Sequence, residues 1–147
     1  MKFRYLLLLL FTFCFQAYSQ NPSFRPIESF ESILARAKKE NKPIFLEAYL
    51  PNCSHCMAYD VTLKNLKIKE FLDKNVLAYQ LDISKKENGQ FLRKQKIYIP
   101  STPSFIMLGP DGKSWDVQTM GDELNTVDGI LKTLSKAIDS TKRDEAL

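Results

Sequence analysis

The stretch Lys42-Pro43-Ile44-Phe45-Leu46-Glu47-Ala48-Tyr49-Leu50-Pro51-Asn52-Cys53-Ser54-His55-Cys56 decides how the rest of the chain is read. Directly after a proline comes an apolar run of strand length, interrupted by a single acid, Glu47, and ending in two cysteines three positions apart. If a helix begins at Cys53, residues three apart share a face and the two sulfurs can meet. The Cys53 sulfur then sits at the helix N-terminus, where unpaired N–H groups and the macrodipole favour a thiolate. A strand that delivers a thiol to a helix start suits exchange chemistry at sulfur.

Working outward, 147 residues with 44% apolar side chains predict one domain with a real core. A net charge of +4, with no basic stripe interleaved with aromatics, argues against nucleic-acid binding. Residues 1–19 read as a signal peptide: Lys2 and Arg4 precede an apolar run from Tyr5 to Phe15, and Ala17-Tyr18-Ser19 offers small residues for cleavage. The run is short for a bilayer span, so no stable membrane insertion is expected once it is cleaved. Phe13 before Cys14 disfavours a lipoprotein site. Loss of Lys2, Arg4 and Cys14 leaves a charge of +2 and two cysteines, Cys53 and Cys56. In an exported, disulfide-permissive setting, a bridge across so short a loop adds little stability. The pair is better placed for chemistry than for stapling.

Residues 20–26 read as an extended lead-in. From Ile27, the spacing of Phe30, Ile33, Leu34 and Ala37 predicts a helix stopped by Asn41 and Pro43. Helices are also expected over Leu66–Lys74 and, weakened by Gly89, over Lys85–Lys96. Val76–Leu81 and Ser104–Leu108 read as strands, and Gly109-Pro110-Asp111-Gly112 is a turn into a hairpin strand, Lys113–Thr119. Val127, Ile130, Leu131, Leu134, Ala137 and Ile138 mark a last helix, with the domain ending near residue 140 and a charged tail over 141–147. The order predicts an α/β domain with a mixed sheet covered by helices on both faces.

With Glu47, Cys53-Ser54-His55-Cys56, Thr102-Pro103 and Gly121 in hand, the chain from about Ile27 to Ile138 resembles the thioredoxin superfamily. The segment Ala37–Leu46 looks like exported thioredoxin-like proteins and the C-terminal domain of bacterial thiol:disulfide interchange proteins. The resemblance implies the thioredoxin fold, an acid at Glu47 beneath the active site, a cis bond at Thr102–Pro103 facing the disulfide, and a glycine, Gly121, that lets substrate approach. It also implies that the Thr102 backbone pairs with an extended substrate. Asn52 stands where the family usually has tryptophan, which bears on substrate range.

Residue by residue, Cys53 at the helix end is the expected nucleophile and Cys56 the resolving thiol. A zinc site needs two further ligands, and the mature chain offers no other cysteine and one histidine, so neither metal nor cofactor is expected. His55 is either a plain surface residue or, with Ser54, a tuner of the thiolate, and Ser54-His55 resembles the Gly-His of protein disulfide isomerases. Glu47 is either a buried acid that relays the Cys56 proton or an edge residue facing water; its apolar neighbours favour burial. Lys64, Lys67 and Lys69 read as a solvated helix face.

The expected function is exported thiol–disulfide exchange with protein disulfide or dithiol substrates, in partnership with a membrane electron donor or acceptor. Three versions stand: a reductase or interchange protein, an oxidising disulfide donor or isomerase, and a client-binding module whose cysteines form a redox switch.

Overall fold

The computed structural model describes residues 24–25, 28–119 and 122–144, and side chains at 24–25, 28–113 and 124–140. The expected signal peptide, Pro26, Ile27 and Gly121 lie outside the described residues, and the first helix, expected from Ile27, begins at Phe30 after the Ser29 cap. In chain order the elements are β1 (Phe24–Arg25), α1 (Phe30–Glu40), β2 (Ile44–Tyr49), α2 (Ser54–Leu63), α3 (Leu66–Asn75), β3 (Leu77–Asp82), α4 (Lys86–Lys94), β4 (Ser104–Leu108), β5 (Ser114–Thr119), a short 3₁₀ turn (Asp122–Asn125) and α5 (Val127–Asp144).

The strands form one mixed sheet in the order β1-β3-β2-β4-β5. β1 and β2 run parallel to β3, whereas β4 is antiparallel to both β2 and β5. The apolar run Ile44–Tyr49 is central because it is buried along nearly its whole length, as a strand covered on both faces must be. Alternation then sorts its side chains. Ile44, Leu46 and Ala48 pack with Ile33 and Ala37 of α1 and Leu92 of α4. Phe45 packs on the other face with Tyr59 and Leu63 of α2, Ile68 and Leu72 of α3, and Ile130 and Leu134 of α5. Helices cover both faces, as the periodicities predict. By the same alternation Glu47 belongs to the face of α2, which carries the cysteines.

Local chemistry explains the boundaries. Ser29 caps α1, its hydroxyl accepting from the Ser32 N–H at 3.2 Å, and Asn41 ends it in the left-handed conformation. Between α2 and α3, Asn65 accepts from the Lys67 N–H and starts a new helix. On the solvated side of this corner Lys64 pairs with Asp60 and Lys69 with Asp73, both at 2.6 Å. The Gly109–Gly112 turn closes with the Gly112 N–H on the Gly109 carbonyl at 2.9 Å.

Two segments differ from the sequence reading. Within the expected lead-in, Phe24 and Arg25 are a strand, added to the sheet edge beside Ala78 and Tyr79. Two residues are too few to show a period of two, so the pairing was not visible. The final helix runs to Asp144, past the residue near 140 where its apolar period fades. Once nucleated, a helix adds a hydrogen bond per residue without needing an apolar one.

Candidate active site

The chain leaves β2 through Leu50-Pro51-Asn52 and enters α2 at Cys53, which is the N-cap rather than the first helical residue. Its backbone is extended (φ −89°, ψ 114°), and its sulfur accepts the Cys56 N–H at 3.2 Å, as an N-cap oxygen would. A second element arrives from across the sheet. In the antiparallel register of β2 and β4, Ala48 pairs with Ser104, so residues 102–103 lie just beyond the end of β2, beside the start of α2. The Thr102–Pro103 bond is cis. The Cys53 thiol donates to the Thr102 carbonyl at 3.6 Å, and the Thr102 hydroxyl donates to the Cys53 sulfur at 3.7 Å. Pro103 and Ser104 are fully buried, and the Ser104 hydroxyl ties the loop to the Ser101 carbonyl at 2.6 Å.

The two cysteines are free thiols in unlike surroundings: Cys53 is half-buried, Cys56 is buried. Burial alone would raise the Cys53 thiol, but hydrogen bonds from the Cys56 side chain and N–H, the Thr102 hydroxyl and the His55 N–H outweigh it and hold the thiol below its ordinary value. Burial, and then the hydrogen bond its thiol gives to Cys53, raise Cys56. Such a pair has one sulfur prepared as a thiolate and one held as a thiol.

Glu47 is 1% exposed, and burial pushes its carboxyl up to about 7, against the lowering effect of a 2.8 Å hydrogen bond from Gln80. The negative charge of Asp60 adds to the rise. Glu47 and Cys56 line the same open cleft of about 230 Å³, together with Asp60, Met57, Tyr49 and Gln80. A water is about 30 Å³ in the liquid, so the cleft has room for a water-borne proton path between the acid and the buried thiol.

The structure thus brings together Glu47, Cys53, Cys56, Thr102 and Pro103 from three parts of the chain. Ser54 and His55 lie at the exposed start of α2, where His55 acts on Cys53 through its backbone N–H. Gly121 lies outside the described residues. Two contributions were missed in the sequence: the Thr102 hydroxyl on the nucleophile, and Gln80 on the acid. The offset of Gln80 along β3 could have hinted at the latter, had the strand register been known.

A mixed sheet with helices on both faces, a dithiol at a helix N-terminus and a cis-proline loop against the first sulfur define the thioredoxin class. Residues 25–110 match the thioredoxin-like family, and the chain belongs to it. No curated protein sequence matches. Among solved structures the chain is similar to a DsbH oxidoreductase (15% identity, TM-score 0.65, covering 83% of this chain and 92% of that one). A disulphide isomerase from Xylella fastidiosa Temecula1 matches with 23% identity and a TM-score of 0.58 over 76% of this chain and 95% of that one. The C-terminal domain of Neisseria meningitidis DsbD in its oxidised form matches with 17% identity and a TM-score of 0.58 over 78% and 97%. Among the described residues no helix is long and apolar enough to cross a membrane.

Proposed function

We propose that this protein is an exported thiol–disulfide oxidoreductase that exchanges its Cys53–Cys56 dithiol with protein disulfides. The observation that carries the reading is the position of the Cys53 sulfur, capping α2 while in contact with Thr102. As a reductase or interchange protein, Cys53 attacks a client disulfide as thiolate, releasing one client thiol and leaving a mixed disulfide on Cys53. Cys56 then loses its proton to Glu47 and attacks Cys53; the second client thiol leaves and the Cys53–Cys56 disulfide remains. A donor, on this reading a membrane electron-transfer protein, restores the dithiol. Thr102 and Pro103 offer backbone to an extended client, and the family resemblance adds Gly121 as a residue that lets the client approach. The apolar leader over residues 1–19 supports export.

One observation favours the reverse direction. Every hydrogen bond that stabilises the Cys53 thiolate also stabilises the reduced protein, and so pushes the site toward oxidising power. The same mixed-disulfide chemistry, run backward, would make it a disulfide donor or isomerase.

The test is to present a disulfide peptide to Cys56→Ser. This variant should accumulate a stable mixed disulfide on Cys53, visible by intact mass. Cys53→Ser should form none; a mixed disulfide on Cys56 instead would reverse the assigned roles.

A further inference from the structure

We propose that Gln80 is a positioning residue for proton transfer at this site: its amide holds one oxygen of Glu47, so that the acid takes and gives its proton on the other. The inference rests on the reading of Glu47 as the proton acceptor for Cys56.

The geometry behind it is set by the sheet. Glu47 and Gln80 are register partners on the parallel strands β2 and β3, so backbone pairing fixes where their side chains meet. Gln80 Nε2 donates to Glu47 Oε2 at 2.8 Å. A carboxyl oxygen that accepts this N–H is a poor place for the proton, which is therefore assigned to Oε1. Gln80 is half-buried where Glu47 is buried. It lines the cleft shared by Glu47 and Cys56, and with Tyr49 it also lines a second, polar cleft of about 480 Å³ that contains Asp82 and Lys85. A proton arriving on Glu47 thus has an open way out past Gln80.

The chemical character of an amide matters here. Glu47 is faced by Asp60 from α2, by the Cys56 thiol, by Tyr49 of its own strand and, in the β4 register, by Phe105. Among the described residues lining this cleft there is no cation. An ammonium at position 80 would hold the acid ionised, and an apolar residue would leave the buried carboxylate without its donor. The neutral amide supports the ionised form enough for Glu47 to accept a proton, yet not so strongly that it cannot hold one. In the step itself, the S–H bond of Cys56 breaks and its proton goes to Glu47. The sulfur's electron pair forms the bond to Cys53, and the Cys53–client bond breaks with its pair leaving on the client sulfur.

The experiment compares the full-length protein with Gln80→Leu, Gln80→Lys and Glu47→Gln. It reads the pH profile of single-turnover release from a preformed mixed disulfide, and the titration of the Glu47 carboxyl by carbon NMR. Gln80→Leu should move both midpoints up by about one pH unit, a roughly tenfold slower release at a fixed pH below the midpoint. Gln80→Lys should move both down, while alkylation of Cys53 keeps its pH dependence in each. If Glu47→Gln removes the pH-dependent limb but neither Gln80 variant moves it, the positioning role is wrong. If Glu47→Gln leaves the limb intact, Glu47 is not the acceptor, and the role of Gln80 falls with it.

Discussion

Two thiols three residues apart differ because one caps a helix and the other is buried inside its first turn. Cys53 is lowered by the donors gathered on its sulfur, whereas Cys56 is raised by burial and by donating to Cys53. Alkylation of the reduced protein near neutral pH should therefore modify Cys53 first; first labelling at Cys56 would contradict the account. The Thr102 hydroxyl is one of those donors and can be removed without changing shape by Thr102→Val. The Cys53 alkylation midpoint should rise, and the Cys53/Cys56 potential should fall by about 30 mV for each tenfold change in the equilibrium. An unchanged midpoint would show the hydroxyl to be idle.

Glu47 carries a signature in stability as well as in rate. In the fold its carboxyl titrates at about 7, against an ordinary value of 4.5. Between those values the folded protein holds a proton that the unfolded chain has lost. Stability should therefore fall as pH rises through that window and level off above it, by at most roughly 3 kcal/mol. Glu47→Gln should lack this slope, so urea midpoints of the two proteins should diverge between pH 5 and pH 8. Parallel curves would mean that the carboxyl is not desolvated as described.

At the scale of elements, what could be read from the chain was what has a period or a fixed local chemistry. The buried run of β2, the apolar face of α5 and the proline turn are of that kind, and each lies where its residues predict. The cysteines could be placed because helix spacing alone brings residues three apart together. Gln80 could not, since its contact with Glu47 spans 33 residues and depends on strand register. The Thr102 hydroxyl escaped notice for the same reason, 49 residues from the sulfur it serves. In the sequence Gly112 reads as an ordinary turn residue. Its φ of +84° and a would-be Cβ 2.6 Å from Leu34 Cδ2 show that the turn is pressed against α1. Gly112→Ala should cost about 1–3 kcal/mol in denaturant unfolding, through both backbone strain and overpacking. A change within a few tenths would mean that this contact relaxes freely.

For the whole molecule, a sheet flanked on both faces is the rigid frame that holds three loosely related pieces at one end. The strand-to-helix junction supplies the sulfurs, the loop before β4 supplies Thr102, and the β2–β3 pair supplies the acid and its amide. That convergence favours catalysis over mere binding. A client-gripping module with a redox switch would exchange with a disulfide once per molecule. The decisive measurement is therefore turnover: cleavage of a peptide disulfide by substoichiometric protein, with dithiothreitol in excess and the uncatalysed rate subtracted. Wild-type protein should make many cleavages per molecule, Cys53→Ser none, and Cys56→Ser should be slower, because only dithiothreitol is left to resolve its mixed disulfide. Cleavage that stops at one equivalent of wild-type protein would contradict the account.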